Sequence, residues 1–409
     1  MDSAAPEKRL RDSPVFCILP WTHLNVAPSG NVFPCCVFDS ARPIGSVRDS
    51  TLDELWNAPG LRRLRLDILA GRESPGCRLC YELERSGFPS MRRKTGKRFG
   101  RHLTRATKTR DDGSLPTLHM PYMDIRFSNS CNFRCRTCGP WASDLWQKDW
   151  KALNWWGFLS AGKRSLGRAE RLWRRIEELA PNLEEVFFAG GEPLLMEEHF
   201  RLLDLLSRKK LFHIRLSYNT NFSVLRRDVM ELWDRFENVI IGASLDASGS
   251  RGEYLRKGQD WGLVLRNRQL LAQTCPRARF RLCATLSVMN SLHLPDFQKE
   301  WLEKGWVAPE NVTFSLLINP EVFRLQILPP SLKQAVLEKY RRHIDEVLRP
   351  LGEKGANAVA LFEAAMRFLA DRDLSAQLPR FRRLTRRLDR LRGEDFAAAF
   401  PELSSLMDG

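Results

Sequence analysis

At 409 residues, 43% hydrophobic and 28% charged, the chain has the balance of a soluble globular protein with room for two or three domains. No apolar run reaches the roughly 18 residues of a membrane helix, and the opening MDSAAPEKRLRDSP lacks the apolar segment of a secretion signal. The expected location is therefore cytoplasmic, with the ten cysteines held as thiols for metal or redox chemistry and not as disulfides. The net charge of +16, from 65 basic against 49 acidic residues, is compatible with a polyanionic partner.

Residues 1–115 consist of short elements broken by Pro and Gly and hold five of the ten cysteines. Cys17, Gly30 and Cys35 stand in a CX12GX4C spacing, followed by the CxxC of Cys77 and Cys80. A turn glycine lets a hairpin fold back so that its thiols converge. With the CxxC this makes a four-cysteine cage, able to hold zinc or an iron–sulfur cluster. Cys36 either replaces Cys35 as a ligand or is a neighbouring free thiol. The run RRKTGKRFGRHLTRATKTR at 92–110 carries nine Lys or Arg and no acid. It reads first as a solvated loop and second as a docking surface for an acidic peptide or nucleic acid. Aromatics barely interleave with it, which disfavours base stacking.

From 116 to 325, β-rich runs at 122–128, 184–190, 212–219, 238–246, 279–288 and 311–319 alternate with amphipathic helical stretches. That alternation predicts an α/β fold with a parallel sheet, best matched by a partial (β/α)6 TIM-like barrel. Chemistry in such barrels gathers on the loops after the strands. Here SNSCNFRCRTCGP follows the first strand, with Cys131, Cys135 and Cys138 in CxxxCxxC spacing. GGEP (190–193) follows the second, Asn219–Asn221 the third, Ser244-Leu245-Asp246 the fourth and Asn290 the fifth. The tryptophan-rich stretch 140–156 packs into the core or roofs a cavity at the barrel mouth. Cys275 sits away from these loops. Cys283, counted back from Asn290 along an alternating strand, is expected to face the opposite side near the other end, as packing.

Residues 326–409 read as helices with no motif beyond packing, including a second basic run at 380–392 taken as a solvated helix face. The expected domains are 1–115, 116–325 and 326–409.

Three thiols within one loop are too few for a closed zinc site. They suit a 4Fe–4S cluster with one iron left open. CxxxCxxC after a first strand, with GGEP after the second, resembles the radical S-adenosylmethionine (SAM) superfamily over most of 120–320. One departure is Thr137, where those enzymes usually carry an aromatic residue. The resemblance implies a 4Fe–4S cluster on Cys131, Cys135 and Cys138, with SAM chelating the open iron. Gly190 and Gly191 would admit its amino group, Glu192 would orient it, and Pro193 would start the next helix. Ser244 and Arg256 match the SLD…R pattern and would meet a carboxylate or ribose. Asn219 and Asn290 would contact ribose or adenine, or else cap strand ends. One electron would then split SAM into methionine and a 5′-deoxyadenosyl radical that takes a hydrogen atom from substrate.

The N-terminal cysteines are similar to the SPASM or twitch extension of this superfamily, here placed before the barrel instead of after it. The resemblance implies an auxiliary 4Fe–4S cluster on Cys17, Cys35, Cys77 and Cys80. It implies an oxidoreductase acting on a peptide or small molecule, fed by a donor such as flavodoxin or ferredoxin. With Cys283 read as packing and no hydrogen-atom donor in view, net oxidation or cross-linking is favoured over epimerisation. Two other readings stand beside it: a radical SAM RNA-modifying enzyme, suggested by charge although no RNA-binding module is recognisable, and a non-catalytic iron–sulfur or zinc-binding adaptor. No membrane partner is expected.

Overall fold

The computed structural model describes residues 4–153, 163–167 and 169–408. Asn154, Trp155 and Trp156, the end of the tryptophan-rich stretch, lie outside the described residues. In chain order the strands are β1 His23–Val26, β2 Asn31–Phe33, β3 Gly45–Ser46, β4 Tyr122–Ile125, β5 Arg134–Cys135, β6 Glu185–Phe188, β7 Arg215–Thr220, β8 Val239–Ala243, β9 Arg256–Lys257, β10 Arg279–Leu286 and β11 Val312–Leu316. Nine of them form one sheet in the order β11-β10-β8-β7-β6-β4-β1-β2-β3. All six expected strands are present as β4, β6, β7, β8, β10 and β11, each parallel to its neighbour. The fold is the expected α/β partial barrel.

The N-terminal region adds a further parallel strand. β1 pairs with β4 from His23↔Tyr122 to Val26↔Ile125, and β2 and β3 follow as an antiparallel hairpin edge. The sheet therefore runs without a break across position 115. Gly30, at φ 93°, makes the turn between β1 and β2, a conformation that costs glycine little.

Alternation along the strands separates an outer from an inner face. On β7 the Tyr218 hydroxyl meets His199 and Trp233 of the covering helices Glu197–Arg208 and Arg227–Trp233. On β10, Phe280 stacks on Trp301 of the helix Leu294–Glu303. Arg215, Ser217 and Asn219 therefore face the barrel interior, as do Arg281, Cys283 and Thr285. Cys283 is thus corrected: its sulfur lies 3.1 Å from where a β-carbon on the inner-facing Gly242 would stand. The count back from Asn290 fails because β10 ends at Leu286, and Ser287–Asn290 turn away from strand geometry.

The basic run 92–110 is also not a solvated loop. It forms the helix Met91–Phe99 and the 3-10 segment Gly100–Lys108. Phe99, Leu103 and Ala106 are buried, and Phe99 stacks on Tyr122 at 5.3 Å. Arg98 pairs with Glu185, and Arg101 and His102 pair with Glu184, so the run closes the N-terminal ends of β4 and β6. Most of the second basic run is the expected solvated helix face, with Arg392 the exception, buried against Asp149. In the helix Leu378–Arg392, Phe381, Thr385 and Leu388 are buried while Arg383, Arg386, Arg387 and Arg390 are exposed. Among the described residues no helix is long and apolar enough to cross a membrane.

Arg324, beyond β11, forms a 2.8 Å ion pair with Glu82 of the N-terminal region, with both side chains 6% exposed. Breaking one partner of a buried pair strands the other charge. Arg324→Met should therefore cost about 3–5 kcal/mol, read as a lower urea midpoint. Glu82→Leu combined with Arg324→Met should be less damaging than Arg324→Met alone.

Candidate metal centre

The three-cysteine loop is held by its backbone. The GGEP turn lies directly against it: Gly191 N–H donates to the Ser128 carbonyl and Glu192 N–H to the Ser130 carbonyl, at 3.3 and 2.8 Å. A β-carbon on Gly191 would stand 2.0 Å from the Ser130 oxygen, so only glycine permits the contact. Gly190 has φ 129°, a region L side chains seldom adopt. Pro193 opens a 3-10 turn that leads into the helix Glu197–Arg208.

Other partners fix the cysteines individually. Cys131 N–H donates to Asp144 at 3.2 Å, and Trp146 Nε1 donates to the Cys135 carbonyl at 2.9 Å. Cys135 also pairs with Arg256 in the short β5–β9 ribbon. Burial pushes all three thiols above their ordinary range, Cys138 to about 12, and mutual repulsion adds to the shift at Cys131 and Cys138. The Arg256 guanidinium, 3.9 Å from the Cys135 sulfur, opposes it.

The rim residues divide by how much hydrogen-bonding capacity remains. Asn219 is exposed on the inner face of β7, and Ser244 is half-buried with its N–H donated to the Thr220 carbonyl. Both side chains face the mouth. Glu192 is fully buried. Its carboxylate accepts from the Thr220 hydroxyl and from Asn221 and Leu194 N–H groups, at 2.7, 2.7 and 3.2 Å, while burial raises it to about 7. Arg256 is already forked onto Asp246, at 2.8 and 3.0 Å, and Asp246 accepts from Thr285 N–H. The pair braces the cluster loop. Of the two expectations for Asn290, cofactor contact or strand-end cap, the hydrogen bonds match the second. The residue is fully buried, accepts from Ser287 N–H and Oγ, and donates to the Asp246 and Thr285 carbonyls. With its amide saturated, it ties β8 to β10.

Asn221 lies in the rim stretch read from the sequence but had no role of its own, and sequence reasoning missed Arg136, Asp149 and Arg392. Asn221 Nδ2 lies 2.7 Å from Asn132 Oδ1 and 3.9 Å from the Cys131 sulfur. Arg136, inside the CxxxCxxC loop and 1% exposed, pairs with Asp389 and Glu394 and lies 3.7 Å over the Tyr254 ring. Arg392 pairs with the buried Asp149, which also holds Arg134. The C-terminal helix therefore clamps the loop from outside. Only the presence of an arginine between two cysteines hinted at such partners.

Cys17, Cys35, Cys77 and Cys80 form the second set. Burial raises each, Cys77 to about 12, and Cys35 lies within electrostatic reach of the other three. Cys36 lies within electrostatic reach of Asp124 and Arg126 as well as of Cys35 and Cys80. Arg92 lies beside this set, buried and paired with Glu84. Among the described residues no three His, Cys, Asp or Glu side chains close on a single point as ligands of one ion would. Each thiolate on a cube binds a separate iron, so cube ligands stand wider apart. Three half-buried thiols beside one guanidinium, and four beside another, are a donor set that fits iron–sulfur clusters.

Comparison with protein-family models matches residues 17–81 to SPASM, an iron–sulfur cluster-binding domain, and residues 125–328 to the radical SAM superfamily. Comparison with curated proteins gives no match. Among solved structures, native anSMEcpe with bound AdoMet is similar at 18% identity and TM-score 0.39, over 54% of this chain and 60% of that one. SuiB of Streptococcus suis bound to precursor peptide SuiA is similar at 16% and 0.36, over 62% and 51%. The radical S-adenosylmethionine methyltransferase TsrM of Kitasatospora setae is similar at 14% and 0.32, over 46% and 35%. The chain covers less than two thirds of each of these proteins.

Gly191→Ala should force the GGEP turn off the Ser130 carbonyl. Iron bound after anaerobic reconstitution, read by visible absorption, should fall by about four per chain, while the content at the N-terminal set is retained.

Proposed function

Because the chain belongs to the radical SAM superfamily and carries a SPASM domain ahead of its barrel, we propose that it takes a hydrogen atom from a peptide held in the barrel interior. Net oxidation or cross-linking, assisted by the auxiliary cluster, is the outcome we assign. The radical SAM domain binds a 4Fe–4S cluster and SAM, and SPASM binds auxiliary iron–sulfur. The observation that carries the reading is the seam between GGEP and the three-cysteine loop: Gly191 against Ser130, with no room for a β-carbon.

When bound, cluster and cofactor supply a reducing electron and a 5′-deoxyadenosyl group that accepts the substrate hydrogen. The chain's own residues do the rest. Cys131, Cys135 and Cys138 supply three thiolates, and Arg256 offsets the negative charge at Cys135. Gly190 and Gly191 let the turn that would meet the cofactor close on Ser128 and Ser130, with Glu192 holding that turn against Thr220 and Asn221. Asn219 and Ser244 offer polar contacts at the mouth. Cys17, Cys35, Cys77 and Cys80 would hold the auxiliary cluster. A donor such as flavodoxin or ferredoxin would deliver the electron.

The sheet does not close between β11 and β3. Phe88 and Glu82 of the N-terminal region span that gap against Phe314 and Arg324, so we place the entry of an extended peptide at the mouth, where Asn219 is exposed. The inward thiol of Cys283 removes one argument for net oxidation, because a potential hydrogen-atom donor is present. The auxiliary cysteines remain as its support.

Reconstituted protein should carry about eight irons per chain and form 5′-deoxyadenosine with SAM and dithionite. A fully loaded protein that makes none is an adaptor, not an enzyme. Cys35→Ser should lose about four irons while Cys36→Ser keeps them. Equal losses would overturn the assignment of Cys35. Co-purifying RNA that turns over would favour the RNA-modifying reading.

A further inference from the structure

The barrel interior carries a charge imbalance that the cluster chemistry does not use. Arg215 and Arg281 face inward from β7 and β10, and the helix Met91–Phe99 adds Lys94 and Arg98 across the N-terminal ends of the strands. Arg98 pairs with Glu185 at 2.6 Å, and Arg215 and Arg281 lie within electrostatic reach of the same carboxylate. Lys94 lies within reach of Arg281 and Cys283. Three cations thus share a single carboxylate, with Lys94 beside the third of them. The other inner-face acid, Asp124, is engaged by Arg126.

The arrangement is underpaired as well as crowded. Arg98 Nη2 and Arg215 Nε are buried without a hydrogen-bond partner. Burial and neighbouring cations hold the Arg98 and Arg281 guanidinium groups below their ordinary values. Like charges gathered in a partly desolvated space are costly unless an anion joins them. Lys94 is exposed and Arg98, Arg215 and Arg281 are half-buried, so solvent reaches all four side chains.

The nest shares the inner face with residues that lead to the three-cysteine loop. Cys283 connects it to Arg256 electrostatically, and Arg256 touches Cys135. Arg215 precedes Asn219 by four residues on β7, so the nest lies about 13 Å below the rim at ~3.3 Å per residue.

We infer that the Lys94, Arg98, Arg215 and Arg281 nest binds a carboxylate side chain of the substrate peptide, anchoring an acidic residue about four positions from the one modified. This deepens the proposal above and rests on the peptide entering the barrel interior. It gives a role to the 92–110 run, whose charge the cluster chemistry leaves unexplained.

The test uses full-length reconstituted protein with SAM, at physiological salt. The probes are two fluorescein-labelled octapeptides of Ala, Ser and Gly that differ only in carrying two Glu or two Gln. By anisotropy, the Glu peptide should bind at least about tenfold tighter, and Lys94→Gln and Arg281→Gln should each weaken it about tenfold. Arg383→Gln, an equal change of charge on the exposed C-terminal helix, should leave it unaltered. Equal binding of the two peptides overturns the inference. So does weakening by Arg383→Gln equal to that by Arg281→Gln, which would trace binding to diffuse positive charge. Displacement of the Glu peptide by a single-stranded RNA oligonucleotide whose binding is lost in Arg281→Gln also overturns it. The 5′-deoxyadenosine formed by the same preparation reports separately. Cleavage without discrimination sinks the nest alone, and discrimination without cleavage sinks the radical reading alone.

Discussion

One backbone contact governs the site. The Ser130 carbonyl receives the Glu192 N–H while Gly191 passes with no space for a side chain. This contact sets the distance between the loop bearing three thiols and the turn after β6. The Glu192 carboxylate extends the seam to the end of β7 through Thr220 and Asn221. Asp246, anchored from β10 by Thr285 N–H and Asn290, carries it to Arg256 and the Cys135 sulfur. Four successive strand ends are thereby locked around the three-cysteine loop, the preorganisation a reactive centre needs.

Charge is handled differently on either side of that loop. Outside, Arg136 and Arg392 are buried but matched by Asp389, Glu394 and Asp149, so the C-terminal helix contributes compensated pairs and rigidity. Inside the barrel the cations outnumber their partners. The contrast is physically meaningful: paired charges hold a structure together, whereas unmatched ones in a solvent-reachable space are poised for a ligand.

Much of the barrel was legible in the sequence because its signals are local. Six strands, their order and the placement of Cys131, GGEP, Asn219 and Asp246 on one rim all follow from periodicity and spacing. What was illegible depends on distant partners or broken periodicity. Nothing near Arg136 in sequence announces Asp389, and Asn221 is ordinary until it meets Cys131. Phe99, Leu103 and Ala106 mark a buried helical face, but nine surrounding cations obscure it. The saturation of Asn290 comes from the Thr285 carbonyl of β10, the Asp246 carbonyl in the loop after β8, and Ser287. Asn290 also lies in a turn, which misled the parity assigned to Cys283.

The pairing of β1 with β4 has a consequence for engineering. Removing everything before residue 116 would strip β4 of its neighbour and leave a bare parallel edge of backbone donors and acceptors, a template for sticking to other copies. The cysteine-rich front is therefore not a cassette that can be unplugged. A graft of a foreign cluster module onto this barrel must bring a strand that enters in the register of His23 opposite Tyr122.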